Sequence, residues 1–139
     1  MNNNVLPMES TRVLVVDDVS DSAAIFATML EIYGAQTRVA LDGYQAISEA
    51  EAYRPNIVLM DVTMPGLNGY EAAKRIREQD WGRAMLLIAI TGWGQDRDVQ
   101  EAYAAGFDGH LLKPVEPDAL FGLIRRLRED RKDRSTVET

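Results

Sequence analysis

Short runs of apolar residues alternate along this chain with segments in which apolar residues recur at helical spacing. The first run, RVLVVDD, predicts a buried strand that ends abruptly at two acidic residues. A short stretch from Gln36 to Val39 and the runs NIVLMD, AMLLIAIT and GHLLK predict four more strands. We expect five helices, one after each strand. This strict alternation is typical of an α/β protein with a parallel sheet and helices on both faces, the doubly wound class.

Helix starts and ends carry weaker local signals. Ser20 or Asp21 is the expected N-terminal cap of the first helix, Gly34 its left-handed end, and Asp42 the start of the second helix. A fourth helix is expected from about Gln95 to Ala105. Residues at core spacing in the other helices are Phe26, Leu30 and Tyr33; Ala46, Ile47 and Ala50; Tyr70, Ala73 and Ile76; and Leu120, Leu123, Ile124 and Leu127. For five such units we adopt the flavodoxin-like strand order 2-1-3-4-5, the commonest arrangement.

The length and composition indicate one compact domain. The chain has 139 residues, of which 46% are hydrophobic, enough for a buried core. We assign residues 1–10 to an N-terminal extension and 11–128 to the domain. Residues 129–139, EDRKDRSTVET, mix charges without apolar spacing, so we expect a frayed helix end that runs into a charged tail.

Charge and cysteine content exclude several classes of function. Fifteen basic against 22 acidic residues give a net charge of −7, which opposes direct binding of nucleic acid. The sequence has no cysteine, so disulfides and thiolate metal sites are excluded. Neither a signal peptide nor a run of about 18 apolar residues is present, so we expect no membrane insertion and a cytoplasmic location.

Polar side chains stand at the ends of four of the five predicted strands. Strand 1 ends in Asp17 and Asp18, strand 3 in Asp61, strand 4 in Thr91 and strand 5 in Lys113. Ligands of open α/β sheets bind beyond the carboxyl ends of the strands, where these groups would meet. Each group alone is more often a cap, a solvated turn or a surface charge. The conjunction of all of them predicts a functional site.

Three neighbouring carboxylates repel one another at neutral pH and require a cation. Oxygen ligands without His or Cys favour Mg²⁺, which takes one or two carboxylates and shares a phosphate. With the metal on one side and the Lys113 ammonium and Thr91 hydroxyl on the other, the oxygens of a phosphoryl group in transfer would be neutralised. A carboxylate would then serve as the nucleophile.

The segments VLVVDD, DVTMPGLNG, AITG and LLKPV, in this order and spacing, resemble the receiver domain of two-component response regulators. The resemblance extends from about Thr11 to Arg128. It implies a signalling receiver rather than a turnover enzyme, phosphorylated by a histidine kinase or a histidine phosphotransfer protein. It also implies roles for individual residues: Asp61 as phosphoacceptor, Asp17 and Asp18 as Mg²⁺ ligands together with the backbone carbonyl of Thr63, Thr91 and Lys113 as phosphate-binding groups, and a cis peptide between Lys113 and Pro114.

Four further positions bear on access and switching. Gly92 is the small residue that the resemblance implies after Thr91, and it would leave the acceptor open to a phosphohistidine donor. Thr63 and Trp93 would flank the path of the water that hydrolyses the aspartyl phosphate, with Trp93 as a shield. His110 departs from the Tyr or Phe most often found three residues before the lysine. It is either this chain's switch residue or a partly exposed strand residue.

Two other functions compete with the receiver. A phosphatase of the haloacid dehalogenase type uses Asp, Thr, Lys and Mg²⁺ on a similar sheet. It needs a second Asp two residues after the nucleophile, where this chain has Thr63, and 139 residues leave no room for its cap domain. A receiver-like module that binds partners without phosphorylation is the other alternative. The kinase and the downstream effector are not readable from the sequence, and both a stand-alone protein and a receiver from a hybrid kinase stay open.

Overall fold

A computed structural model describes residues 6–62, 68–92 and 96–137, without the side chains of 96–98 and 132–137. Strands and helices alternate along it. They are β1 (Arg12–Val16), α1 (Ser20–Ile32), β2 (Gln36–Ala40), α2 (Gly43–Tyr53), β3 (Ile57–Asp61), α3 (Gly69–Glu78), β4 (Leu86–Thr91), α4 (Asp96–Ala105), β5 (Gly109–Leu112) and α5 (Pro117–Val137). A short 3₁₀ helix, Asp80–Gly82, follows α3 and was not predicted. No helix in the described ranges combines the length and apolar character needed to span a bilayer.

All strand pairs are parallel, and the order β2-β1-β3-β4-β5 confirms the predicted topology. β3 lies at the centre of the sheet, between β1 and β4. The carboxyl ends of all five strands therefore meet at one edge. Asp61 is the register partner of Ile90, so Thr91 extends one residue further along the neighbouring strand.

Helices cover both faces of the sheet and create two apolar layers. α2, α3 and α4 pack on one face, against residues such as Leu14 and Met60, while α1 and α5 pack on the other, against Val13 and Leu59. Because successive strand residues point to opposite faces, strands covered on both sides are continuously apolar. Every residue that we placed on a helical core face is buried or packs partly buried against one of these layers.

The predicted helix ends are partly confirmed. Gly34 follows α1 with φ +103°, and the Asp42 side chain accepts a hydrogen bond from Gln45 N at the start of α2. The cap predicted for α1 is wrong, because Val19 occupies the N-cap position and makes no side-chain cap bond. Asp17 Oδ1 accepts from Val19 N instead, 3.0 Å away. The carboxylate at the end of β1 thus organises the turn into α1.

Both ends of the chain pack more closely onto the domain than the sequence indicated. Within the segment that we assigned to an N-terminal extension, Met8 is 1% exposed, lies in the layer under α1 and α5, and donates from its backbone N to Tyr33 O. α5 does not fray near Glu129 but continues to Val137. Arg131 holds this part of α5 to the sheet, since its Nη2 donates to Met85 O at 2.9 Å.

Asp108, just before β5, anchors a network at the amino-terminal edge of the sheet. Its Oδ2 accepts from Arg77 Nη2 at 2.6 Å, from Leu87 N at 2.9 Å and from Arg131 Nη2 at 3.2 Å. Arg77 also donates to the carbonyls of Gly82, Arg83, Met85 and Gly106. Burial lowers the pKa of Arg77, and the charge of Asp108 and its hydrogen bond oppose that shift. The network joins α3, β4, α5 and the loop before β5, far from the carboxyl ends of the strands.

Candidate functional site

Three carboxylates meet at the carboxyl ends of β1 and β3. One oxygen from each of Asp17, Asp18 and Asp61 lies within 4.8 Å of the other two. Asp17 is 8% exposed and Asp61 4% exposed, whereas Asp18 is open to solvent. Oxygen donors at this spacing fit a hard divalent cation, which would offset the repulsion among the carboxylates. The structure thus brings together the three acidic residues that the sequence singled out.

Lys113 reaches this cluster from the end of β5. Its Nζ donates to Asp61 Oδ2 across 2.9 Å, while its side chain remains 42% exposed. Burial lowers the pKa of Lys113. The hydrogen bond to Asp61 and the charges of Asp61, Asp17 and Asp18 outweigh that effect, so the pKa lies above its ordinary value. Lys113 is therefore a protonated ammonium group beside the acidic cluster.

Thr91 ends β4, next to the strand that carries Asp61. Neighbouring strands are about 4.8 Å apart, so the end of β4 brings the buried Thr91 to the same rim. The Thr91 carbonyl accepts from Lys113 N at 2.9 Å and fixes the end of β5 against β4. The peptide between Lys113 and Pro114 is cis, as the family resemblance implies.

A cavity of about 410 Å³ opens beside the acidic cluster and was not predicted. Asp17, Ser22, Asp61 and Lys113 contribute its polar part, and apolar side chains such as Phe26 and Ile90 line the remainder. These apolar residues come from α1 and the inner strands. They keep one side of the Asp61 carboxylate away from bulk water, which agrees with its low exposure.

Two glycines shape the site in opposite ways. A Cβ on Gly92, the exposed residue after Thr91, would meet no heavy atom of the described residues within 4 Å. A Cβ on Gly69 would come 2.8 Å from Val62 Cα and 2.9 Å from Asp61 O, so only glycine lets α3 pack this closely behind Asp61. Sequence reasoning missed Gly69. The signal available was the Asn68-Gly69 pair at the start of α3, where Asn68 caps the helix by accepting from Glu71 N.

His110 lies on β5, three residues before Lys113, and is half-buried. Its register partner is Ala89, which faces the layer under α3 and α4, and Thr91 points to the same face two residues later. The imidazole meets the Tyr103 ring edge-on with centroids 6.3 Å apart, and its buried Nδ1 has no hydrogen-bond partner among the described residues. Thr63 and Trp93, the other predicted site residues, fall outside the described ranges.

A parallel α/β sheet with an acidic cluster and a lysine at its carboxyl edge defines a signalling domain of the receiver class. The chain belongs to the response regulator receiver domain family, whose model matches residues 13–125. It is therefore a two-component signalling protein. Family membership also separates it from the haloacid dehalogenase-type phosphatases.

Relatives of this chain differ widely in length. It is 37% identical over 114 residues to an uncharacterized 14.6 kDa protein of Leptolyngbya boryana, covering 82% of this chain and 87% of that protein. It is 36% identical over 119 residues to the virulence sensor protein BvgS of Bordetella bronchiseptica, covering 82% of this chain. That match spans only 10% of BvgS.

Solved structures agree with the fold. The chemotaxis protein CheY4 of Vibrio cholerae has a TM-score of 0.79 at 29% identity, covering 84% of this chain and 98% of that one. A second structure is the receiver domain of the sensor histidine kinase PA1611 of Pseudomonas aeruginosa, which has a magnesium ion coordinated in its active site cleft. Its TM-score is 0.77 at 32% identity, covering 84% of this chain and 96% of that one. A third structure is the receiver domain of Ssk1 from Saccharomyces cerevisiae, in complex with the histidine phosphotransfer protein Ypd1. Its TM-score is 0.75 at 26% identity, covering 81% of this chain and 85% of that one.

Proposed function

We propose that this chain is a phosphorelay receiver that accepts a phosphoryl group on Asp61 and then presents an altered surface to an effector protein. The observation that carries the proposal is the buried Asp61 carboxylate, grouped with two further carboxylates and hydrogen-bonded to the Lys113 ammonium. The Ypd1–Ssk1 complex supports a histidine phosphotransfer protein as donor, and the receiver domain of the sensor histidine kinase PA1611 supports a histidine kinase. We propose a cytoplasmic location for this reaction.

Asp17, Asp18 and Asp61 are the proposed Mg²⁺ ligands, with the backbone carbonyl of Thr63 completing the set. The spacing of the three carboxylates supports this assignment, as does the magnesium ion in the PA1611 receiver. When bound, Mg²⁺ supplies the positive charge that offsets carboxylate repulsion and neutralises phosphoryl oxygens.

The chemical step requires one nucleophile and two groups that stabilise the negative charge of the phosphoryl oxygens. An oxygen of Asp61 forms a bond to phosphorus in line with the breaking P–N bond of the phosphohistidine. The donor imidazole leaves with that electron pair and regains a proton from solvent. Lys113 transfers its hydrogen bond from Asp61 to a phosphoryl oxygen, and the Thr91 hydroxyl donates to another.

Reversal of the signal is proposed to occur by slow hydrolysis of the aspartyl phosphate. Thr63 and Trp93 flank the path of the attacking water, and Trp93 shields the phosphoryl group from it. Gly92 keeps the approach open for the donor, and the absence of contacts between an added Cβ and the described residues supports this role. The lifetime of the signal would then depend on residues at the rim.

The divalent-metal requirement tests the proposed function directly. We expect phosphorylation by acetyl phosphate and by a purified phosphohistidine donor in Mg²⁺, and loss of labelling in excess chelator. The physical reason is that three clustered carboxylates repel an incoming phosphoryl group without a cation. Incorporation of labelled phosphate into the intact chain measures the effect.

Restoring Mg²⁺ in excess of the chelator is the control and should restore labelling in the same sample. Labelling that persists at full rate in chelator would overturn the metal assignment. Absence of labelling from both phosphoryl sources in Mg²⁺ would favour the phosphorylation-independent interaction module instead.

The switch role of His110 stays a prediction, and we propose it on geometric grounds. His110 and Thr91 point to the same face of the sheet, so movement of Thr91 towards a phosphoryl group would open space on the side where the imidazole lies. The resonances of this sole histidine are expected to shift when a beryllofluoride mimic binds Asp61. NMR spectra with and without the mimic measure the change.

The matched control is Asp61→Asn with beryllofluoride, in which the His110 resonances should stay in place. Identical imidazole resonances in the free and beryllofluoride-bound wild type would make His110 a bystander.

A further inference from the structure

A second cavity lies at the opposite edge of the sheet from the acidic cluster. It has a volume of about 400 Å³ and lies before the amino ends of β3 and β4. Three arginines, Arg54, Arg128 and Arg131, line it together with Asn56 and Trp81, and we call it the arginine cavity. Asn56 lines the cavity, and Asp61 lies five residues further along the chain at the end of β3, roughly 16 Å away at 3.3 Å per residue. It is therefore not part of the site proposed for phosphorylation.

The arginines of this cavity are not equivalent. Arg131 is engaged by Met85 O and Asp108, as part of the network before β5. Arg54 donates from Nε to Glu51 O, and its guanidinium lies 5.5 Å from the centroid of the Trp81 ring. Arg128 makes a single long contact, 3.5 Å, to Thr11 Oγ1.

Neither Arg54 nor Arg128 has a carboxylate partner within the described ranges, and no acidic side chain lines the cavity. Two uncompensated guanidinium groups thus share one concave surface, in a chain whose net charge is −7. Anions are attracted to such a local excess of positive charge against the overall field. Arginine is weakly hydrated and offers a planar set of donors that matches phosphate.

Two of the three arginines of the cavity lie outside the region that matches the family model. The family model ends at residue 125, whereas Arg128 and Arg131 lie beyond it, in the part of α5 that continues to Val137. Its size fits a small ligand, because pockets for small molecules have volumes of about 300–1,000 Å³. The half-buried Trp81 adds an aromatic surface beside the guanidinium groups of Arg54 and Arg128.

We propose that the arginine cavity binds a small phosphate-bearing ligand, with the phosphate held by Arg54 and Arg128 and the remainder of the ligand against Trp81. A nucleoside polyphosphate and inorganic pyrophosphate share this chemistry. Binding would tie α5 to the loops before β3 and β4. This proposal does not depend on phosphorylation of Asp61.

Trp81 fluorescence tests the proposal. The chain has two tryptophans, so Trp93→Phe leaves Trp81 as the only reporter. In metal-free buffer, ATP, GTP, pyrophosphate and inorganic phosphate are titrated in turn, with sodium sulfate at matched ionic strength. We expect a saturable change in Trp81 fluorescence with at least one phosphate compound, because a phosphate would draw Arg54 away from the indole. Tighter binding of nucleotides than of pyrophosphate would identify the organic part as a contact, and equal binding would limit recognition to the phosphates.

Arg54→Asn and Arg128→Gln are each expected to weaken binding by about tenfold or more, the usual loss for a charge-assisted hydrogen bond. Asn tolerates the left-handed backbone of Arg54, whose φ is 53°. The matched control is Arg126→Gln, which removes the same charge from an exposed position of α5 outside the cavity and should bind as the parent does. NMR shifts of the Asn56 and Met85 amides provide a readout for any variant whose fluorescence is altered.

Three results would overturn the proposal. One is the absence of any response to all four compounds at millimolar concentration. Another is an equal response to sulfate, which would reveal general screening only. The third is unchanged affinity in both Arg54→Asn and Arg128→Gln.

Discussion

Asp61→Asn is expected to reduce phosphorylation of this chain to background, both from acetyl phosphate and from a phosphohistidine donor. An amide oxygen is a far weaker nucleophile than a carboxylate, and the amide also removes a third of the negative charge of the cluster. The fold should survive, because Asn has the same shape and Lys113, 42% exposed, remains solvated without its partner. Incorporation of labelled phosphate at saturating Mg²⁺ measures the effect.

Asp18→Asn is the matched control for that experiment. It removes the same charge from the same cluster, at the exposed member, and leaves the proposed acceptor in place. We expect it to raise the Mg²⁺ concentration needed for labelling without abolishing labelling at saturation. Asp61→Asn labelled as fast as wild type, or complete loss in Asp18→Asn with full labelling of Asp61→Asn, would place the acceptor elsewhere.

Asp108→Ala is expected to lower the free energy of unfolding by about 3 kcal/mol, the lower end of the range for breaking a buried ion pair. One oxygen of Asp108 accepts from Arg77, Arg131 and Leu87 N, so its loss leaves two guanidinium groups without their carboxylate partner and a backbone donor without its acceptor. The lower end applies because about a fifth of each side chain of the Arg77–Asp108 pair is exposed. Urea denaturation measures the change.

The control is Asp80→Ala, which breaks an exposed pair with Arg83. The two atoms are 3.5 Å apart and the Asp80 side chain is 95% exposed, so we expect a loss below about 1 kcal/mol. Equal effects of Asp108→Ala and Asp80→Ala would show that the network adds no stability beyond a surface ion pair. At temperatures where Asp108→Ala is folded, its labelling should match wild type, because the network lies at the other edge of the sheet.

Much of the fold could be predicted because its determinants are local. Strands covered on both faces are apolar throughout. The segments RVLVV and IVLM therefore predict buried strands even when the neighbouring strands are not known. Their polar ends identify the site, because parallel strands bring Asp17, Asp61 and Thr91 to one edge whatever the exact register. The predicted topology was therefore sufficient to group most of the candidate residues at one site.

Other features depend on contacts between residues far apart in sequence, and no periodicity reports them. Arg77 and Asp108 are 31 positions apart. Met8 packs into the layer under α1 and α5 and donates its N–H to Tyr33 O, 25 positions away. The α1 cap prediction failed because the helix already begins at Ser20, with Val19 at the N-cap. The same holds for the arginine cavity, whose basic residues come from the loop before β3 and from α5.

At Gly92, we expect that the rate of a reaction can change without a change in the stability of the fold, two properties that are usually coupled in proteins. Side chains at catalytic rims often carry structural duties, so changing them alters the rate of a reaction and the stability of the fold together. At Gly92 an added methyl group would touch no atom of the described part of the chain within 4 Å, while at Gly69 it would collide with the backbone of Val62. Under the access role proposed for Gly92, a substitution at position 92 would alter which donors gain access, and how long a signal lasts, with little loss of stability.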